Sequence, residues 1–170
     1  MAGATVTQSQ GEDMLRKDRE ISDASYFKDA FRNCGVITLS FNDGEFPYAV
    51  PLCFVEYEGA LYMHCALEGH KLDCLAKDPH VRFSLYENLG VDKKLATMRY
   101  YSVSGTGIAT LVSDAEEKRH ALAALAAKYE SECTLPVPDK MLAATGVIKV
   151  DILSRKGKSN AKDSPVPFLP

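Results

Sequence analysis

The sequence predicts an α+β protein in which about six antiparallel strands close into a barrel, with short helices between them. Three observations support this fold class. The chain has 170 residues, 46% hydrophobic and 25% charged, which is typical of one globular domain. Its apolar segments mostly alternate with a period of two and are rich in β-branched and aromatic residues. Turn-forming residues separate these segments. A small open sheet would leave its edge strands unpaired, and closing the sheet into a barrel covers them.

The N-terminal part of the chain predicts a tail followed by a helix. Residues 1–13 are small, polar and acidic without apolar periodicity, so we expect a disordered tail. The charged segment 15–21 precedes Ser22 and Asp23, either of which can cap a helix over residues 24–34. The helix face predicted to pack inward carries Tyr26, Phe27, Ala30 and Phe31.

Three consecutive strands are predicted next, as a meander. They are residues 35–41, 42–59 and 60–66. The turn formers Asn42-Asp43-Gly44 and Glu58-Gly59 separate them. Pro47 and Pro51 bracket the start of the second strand, and because proline cannot donate to a ladder, they predict an edge or a bulge there.

The rest of the chain alternates helices and strands. The predicted elements are a short helix from Gly69 to Asp78-Pro79, strands at 80–88, 98–112 and 146–162, a helix over 115–130, and a helical turn at 141–144. Asp114 is the expected cap of the longer helix. Gly105 and Gly107 indicate a bulge, or the close approach of another chain or ligand. We expect one domain over residues 14–158 and an irregular tail over 159–170.

Charge and composition exclude several classes of partner. A net charge of -3 and a pI near 5.8 argue against nucleic acid. No uncharged apolar run reaches the roughly 18 residues of a membrane helix, and the first residues lack a signal-peptide pattern. We therefore expect a cytoplasmic protein without a membrane partner. The cysteines are odd in number and widely spaced, which predicts reduced, mostly buried thiols: Cys34, Cys53, Cys65, Cys74 and Cys133.

The sequence predicts neither a metal centre nor a cysteine nucleophile. His64 and Cys65 are adjacent, so on a strand they point to opposite faces. His70 and Cys74 can share a helix face, but two ligands do not complete a tetrahedral zinc site. Adjacency in sequence also supplies no positioned base for a thiolate. We therefore interpret these side chains as packing residues.

The segment EGHKL, residues 68–72, is the strongest local signal for a ligand. Gly69 opens a helix, and His70 and Lys71 lie in its first turn. Cations there oppose the helix dipole unless an anion joins them, whereas unpaired N–H groups already favour a phosphate. A phosphate site and a solvated charged turn both remain open on this pattern.

Several motifs in fixed order resemble one protein family. They are RKDREI (16–21), PYAVPL (47–52), LYMHCALEGHK (61–71), SVSGTG (102–107) and ILSRKGK (152–158). Together they resemble the nitroimidazole-resistance branch of the pyridoxamine 5'-phosphate oxidase-like FMN-binding split barrels, over residues 14–158. The resemblance implies an antiparallel six-stranded Greek-key split β-barrel with flanking helices, which forms a homodimer with FMN at the interface.

The resemblance also implies which residues bind the flavin. The backbone of Ala49, Val50, Pro51 and Leu52 would line one side of the isoalloxazine ring. His64, Cys65 and Ala66 would follow the ring and the ribityl chain, and Gly69, His70 and Lys71 would hold the phosphate. Ser102 and Val103 would lie near the flavin, and Arg99 would add charge at the phosphate. Arg16 and Arg19 either approach the phosphate or form salt bridges beside the first helix.

The function implied by the resemblance is an FMN-dependent oxidoreductase that passes hydride or electrons from reduced flavin to a small planar acceptor, with nitroaromatics as candidates. His64 would be the catalytic residue, delivering a proton. NAD(P)H would bind only transiently. The alternatives are a non-catalytic flavin-storage protein, a barrel that binds haem or a deazaflavin, and a structural module with a vestigial pocket. The ending KDSPVPFLP lacks the arginine pattern of pyridoxamine phosphate oxidases, so we do not expect vitamin B6 oxidation.

Overall fold

The computed structural model describes residues 15–129 and 137–161, which form an α+β fold. The strands are β1 (Glu20–Ile21), β2 (Val36–Phe41), β3 (Tyr48–Cys53), β4 (Val55–Tyr57), β5 (Ala60–Cys65), β6 (His80–Asp92), β7 (Thr97–Leu111) and β8 (Gly146–Ser159). The helices are α1 (Ala24–Asn33), α2 (His70–Lys77), α3 (Ala115–Lys128) and α4 (Asp139–Ala144). The predicted tail 1–13, Cys133 and most of the predicted tail 159–170 lie outside the described residues.

All eight strands belong to one curled antiparallel sheet. Its order is β3-β2-β6-β7-β8-β5-β4, with β1 added to β8. The three long strands β6, β7 and β8 form its centre, while the first and last strands of the order, β3 and β4, are consecutive in the chain. This arrangement is consistent with a split barrel and confirms the α+β class.

The predicted number of six strands is wrong, because the described residues form eight. The segment predicted as one strand over 42–59 divides at Phe54 into β3, which pairs with β2, and β4, which pairs with β5. The Phe54 N–H donates to the Tyr129 hydroxyl at 2.8 Å instead of to a neighbouring strand. The predicted meander is therefore interrupted, and β5 pairs with β8 instead of with β3. The charged segment before α1 supplies the eighth strand, β1.

The prolines and glycines of the sheet occupy the positions that their chemistry predicts. Pro51 lies on β3, which is the edge strand at one end of the order, a position where proline is tolerated. A Cβ at Gly105 would lie 2.2 Å from the carbonyl oxygen of Ser154 on β8. The β7–β8 register shifts between Thr106 and Gly107. The close approach therefore comes from the neighbouring strand, together with a bulge.

Two apolar clusters lie on opposite faces of the sheet. The inner cluster joins Phe27 and Phe31 of α1 to the inward side chains of the barrel, and the outer one packs α3 and α4 on β5 and β8. Asp23 caps α1, as predicted, by accepting from the N–H groups of Ser25 and Tyr26. β5 is covered on both sides because Leu61 faces the inner cluster and Tyr62 the outer one.

The described cysteines are unpaired thiols, and three of the four are buried: Cys34, Cys65 and Cys74, with Cys53 exposed. Their burial agrees with the prediction of mostly buried thiols. Of the helices in the described ranges, none has both the length and the apolar composition required to cross a bilayer.

Candidate cofactor-binding site

The start of α2 has the geometry expected of an anion-binding turn. Gly69 is the residue before the helix, with φ 125° and ψ 168°. Its carbonyl oxygen accepts from the N–H groups of Leu72 at 2.8 Å and Asp73 at 3.2 Å. The N–H groups that precede these in a helix have no intrahelical acceptor. Within the described residues, a Cβ built on Gly69 meets no atom within 4 Å, so the space in front of the turn is open.

Two lysines bring positive charge to the end of β5, beside this turn. Burial raises the pKa of the Cys65 thiol, while the charges of Lys71 and Lys118 act in the opposite direction. Both ammonium groups therefore lie close enough to Cys65 to influence it. Lys71 is half-buried in the first turn of α2, and Lys118 projects from α3. Lys118 was not a predicted site residue, because its position in the chain gives no sign that it approaches β5.

The imidazole of His70 is turned toward the β2–β3 turn. Its Nε2 atom lies 2.6 Å from Asp43 Oδ2 and 3.7 Å from Cys74 Sγ. Its ring meets that of Tyr48 edge-on, with 4.8 Å between the centroids. The hydrogen bond to His70 lowers the pKa of the Asp43 carboxyl. His70 can therefore serve an anion at the helix start through its backbone N–H, while its side chain is engaged elsewhere.

The predicted residues on β3 and β5 divide between the outer surface and the inner cluster. Ala49 and Pro51 are exposed, whereas the alternate residues Val50 and Leu52 pack against the inner cluster. On β5, His64 is exposed opposite Val147, and Cys65 points inward. Ala66 follows at the exposed end of the strand. β3 approaches β5 in space although the described ladders do not pair them. The structure thus brings Ala49, Pro51, His64 and Ala66 to neighbouring strands on one surface.

The predicted residues of β7 are less closely associated with this surface. The Val103 side chain is completely buried in the inner cluster, and the Ser102 hydroxyl donates to the carbonyl oxygen of Lys158 at 3.4 Å. Arg99 lines a different cavity of about 340 Å³, together with Arg16 and Arg19. Residues 49–71 contribute nothing to the lining of that cavity. The single chain therefore does not unite Arg99 with the start of α2.

Arg16 matches the salt-bridge alternative. Its guanidinium donates twice to Asp18, from Nε at 2.8 Å and from Nη2 at 2.6 Å. Arg19 Nε lies 4.0 Å from the same carboxylate. The Arg16–Asp18 pair is exposed, whereas the Arg19 side chain is partly buried, and ion pairs at a protein surface contribute little to stability.

A family model for pyridoxamine 5'-phosphate oxidase matches residues 28–159. The chain belongs to this family. The matched span includes β3, β5, α2 and β7, and therefore every residue placed above on the outer surface. Comparison with curated proteins gives no match.

Solved structures of similar fold accompany the family match. A candidate 5-nitroimidazole antibiotic resistance protein from Bacteroides thetaiotaomicron is 25% identical, with a TM-score of 0.75 over 82% of this chain and 86% of that one. A flavocytochrome from Azotobacter vinelandii is 18% identical, with a TM-score of 0.75 over 88% and 72% of the two chains. An FAD and heme binding protein from Mycobacterium smegmatis is 20% identical, with a TM-score of 0.74 over 84% and 74%. The last two show the likeness of fold alone.

Proposed function

We propose that this protein is an FMN-binding oxidoreductase of the cytoplasm, which transfers hydride or electrons from reduced flavin to a small planar acceptor such as a nitroaromatic. The observation that carries the proposal is the start of α2, where open space, helix N–H groups and Lys71 meet beside the exposed face of β5. Family membership and the similarity to the candidate nitroimidazole-resistance protein support the same function.

The residues present fit the flavin phosphate and ring. A phosphate at the start of α2 would accept from the free N–H groups of the first turn and pair with the ammonium of Lys71. The small exposed side chains of Ala49 and Pro51 leave the surface of β3 low enough for a flat ring. Bound FMN would supply the redox chemistry, while the protein fixes the ring and controls water and charge around it.

His64 is the residue we propose for proton delivery. It is exposed on β5, which approaches β3 in space, whereas its neighbours Met63 and Cys65 are buried. An imidazole exchanges protons near neutral pH, and reduction of an acceptor by hydride or electron pairs requires a proton. The position therefore matches the role that the resemblance implies.

The complete site in this proposal contains two copies of the chain. Ala49 and Pro51 of β3 and His64 near the end of β5 are exposed in the described part of the single chain, and a ring bound there would remain exposed to water on one side. A second copy that covers it would exclude water and bring further side chains to the flavin. Arg99 lines a cavity to which α2 does not contribute, so in this proposal it would reach the flavin phosphate only across the interface between the two copies.

The absorption spectrum of the purified protein tests the cofactor. We expect oxidised flavin bands and the release of FMN on denaturation, identified by mass spectrometry. A haem Soret band or a deazaflavin spectrum would replace FMN by one of the alternatives. Protein that is colourless, and whose melting temperature is unchanged by saturating FMN, would contradict flavin binding altogether.

Anaerobic mixing of the reduced protein with a nitroaromatic tests turnover. We expect reoxidation of the flavin, and a rate that falls by about 10²- to 10⁴-fold in His64→Gln, because general acid catalysis contributes that much. His80→Gln, an exposed histidine on β6, is the control and should react as the wild type. FMN that stays reduced in the wild type until oxygen enters would favour the storage protein.

A further inference from the structure

Three potential metal ligands from two separate parts of the chain meet beside α2. Asp43 lies in the turn after β2, His70 is the first residue of α2, and Cys74 lies one turn further along the helix. One carboxylate oxygen, Nε2 and Sγ all lie within 4.8 Å of one another. The sequence indicated only the histidine and the cysteine, because Asp43 lies 27 positions before His70 in the chain.

The contacts of this cluster converge on a single atom. Nε2 of His70 lies 2.6 Å from Asp43 Oδ2 and 3.7 Å from Cys74 Sγ. A protonated Nε2 donates to the carboxylate, which also interacts with the Cys74 thiol, whereas an unprotonated Nε2 faces the carboxylate with two lone pairs in opposition. A cation placed between them would bond to each.

The donor set selects the class of cation. Carboxylate oxygen, imidazole nitrogen and thiolate sulfur together suit zinc and similar first-row ions, whereas magnesium and calcium take oxygen ligands. Zinc bonds of roughly 2.0 to 2.3 Å in a tetrahedron place ligand atoms about 3.3 to 3.8 Å apart. The nitrogen–sulfur distance already falls in this range, and the carboxylate would withdraw by less than about 1 Å.

The surroundings leave one side of the cluster accessible. Cys74 is completely buried, whereas the side chains of His70 and Asp43 are 51% and 30% exposed. The ring of Tyr48 packs against the imidazole and fixes its plane. An ion can thus enter from the solvent side, with the thiolate beneath it and water in the fourth position.

We propose that Asp43, His70 and Cys74 form a binding site for a divalent ion of the zinc class. On binding, the Cys74 thiol releases its proton to solvent and its sulfur bonds to the ion. The site would fasten the turn after β2 to the start of α2. It does not depend on the proposed function, because it uses the imidazole of His70, and a phosphate at the helix start would use the backbone N–H.

Cobalt is the probe for this site, because tetrahedral cobalt with a thiolate ligand gives a charge-transfer band and intense visible bands. The full chain, freed of metal by a chelator and kept reduced, is titrated with Co²⁺, and difference spectra remove any flavin absorption. Cys74→Ser and Asp43→Asn test the ligands. The matched control is Asp78→Asn, because Asp78 Oδ1 and His80 Nδ1 form a similar pair at 2.7 Å. Cys34→Ser controls for another buried thiol.

We expect one Co²⁺ per chain, displaced by Zn²⁺. Cys74→Ser should abolish the charge-transfer band. Asp43→Asn should weaken binding by at least about tenfold, because even partners of direct ligands contribute that much. Both control variants should titrate as the wild type. Absence of the band in the wild type, or its persistence in Cys74→Ser, would overturn the site. Unchanged affinity in Asp43→Asn, which alters only a turn residue and should not prevent folding, would also overturn it.

Discussion

Gly69 is selected by its backbone conformation and not by crowding. Its φ of 125° and ψ of 168° lie in a region that side chains with a Cβ rarely adopt, yet a Cβ there would meet no described atom within 4 Å. Gly105 shows the opposite case, because its φ is ordinary and a Cβ would collide with β8. The two glycines of the recognised motifs therefore serve different purposes: one sets a turn and the other permits two strands to approach.

Replacing Gly69 by alanine should destabilise the fold by about 1 to 3 kcal/mol, through backbone strain alone. Gly35→Ala is the matched control, because Gly35 also has open space around its Cβ position but no positive φ. Urea denaturation of both variants measures the difference in the free energy of unfolding. Equal stability of the two variants would show that the turn relaxes without strain.

Lys71 provides a prediction for the binding of FMN. Lys71→Ala should weaken FMN affinity by about 1.5 to 3 kcal/mol, the contribution of a hydrogen bond to a charged group. Lys77, an exposed residue in the last turn of the same helix, gives the control variant Lys77→Ala, which should bind FMN normally. Titration of the flavin-free protein with FMN measures both affinities. An unchanged affinity in Lys71→Ala would remove this residue from the site.

The parts of the site that are local in sequence were predictable, and the rest were not. At Gly69, His70 and Lys71 the hydrophobic pattern changes from the period of a strand to that of a helix. This change predicts the start of a helix, and α2 begins there. The direction of the His70 imidazole depends on Asp43, which reaches it only after the sheet has formed. Lys118 likewise comes near Cys65 through the packing of α3. Contacts between distant elements carry no local pattern.

The C-terminal end of α3 holds α1 and the β3–β4 break together. Lys128 Nζ donates to the carbonyl oxygens of Phe31 at 2.8 Å and Cys34 at 2.9 Å, and lies 3.5 Å from the centroid of the Phe54 ring. Tyr129 accepts from the Phe54 N–H. Its hydroxyl also lies 2.7 Å from the Gly35 carbonyl oxygen. These contacts at the end of α3 explain why the segment 42–59, which the sequence predicts as one strand, divides at Phe54 into β3 and β4.

Lys128 predicts a specific dependence of stability on pH. Burial lowers the pKa of this lysine to about 8, from an ordinary value of 10.5. Between these values the unfolded chain binds more protons than the folded one, so the contribution of Lys128 to the free energy of unfolding increases as pH rises from about 8 to 10.5. Buried thiols such as Cys34, whose pKa burial raises, act in the opposite direction.

The difference between wild type and Lys128→Met isolates this contribution, because the thiols are common to both proteins. Chemical denaturation at a series of pH values from 7.5 to about 10.5 measures it. We expect the wild type to gain stability relative to Lys128→Met over this range. If the free energies of unfolding of the two proteins change with pH in parallel, the carbonyl groups and the ring keep the ammonium of Lys128 charged. The result is read from how the difference in the free energy of unfolding changes with pH. Its absolute size is not used, because the variant also loses two hydrogen bonds.

At the scale of the whole molecule, the α+β class followed from the alternating pattern, but the pairing order did not. β3 and β4 are separated by one residue and yet lie at opposite ends of the order. No rule of periodicity distinguishes this arrangement from a meander, because both bury the same alternating residues. The registers of β6, β7 and β8 depend on bulges and on the close approach at Gly105 and Gly107. Long-range packing therefore decides the topology.

The proposed homodimer has a candidate contact on the hairpin of β6 and β7. Val91, Leu95 and Met98, here called the hairpin patch, are 65%, 74% and 47% exposed. Val91 and Met98 are paired across the strands, so their side chains share one face. Apolar side chains grouped in this way mark interaction surfaces more often than single exposed ones do. A second copy of the chain is the partner that the shared FMN site of our proposal requires.

Leu95→Glu tests this assignment, because a charge at the tip of the hairpin patch opposes burial against another copy without entering the core. We expect wild-type sedimentation at twice the chain mass of 18.6 kDa, and a shift toward the single-chain mass in Leu95→Glu, with weaker FMN binding. Phe46→Glu is the control, since Phe46 is 72% exposed but lies outside the hairpin. Should Phe46→Glu dissociate the protein while Leu95→Glu leaves it intact, the interface lies elsewhere. A wild type that binds FMN as a single chain would instead exclude a site shared between copies.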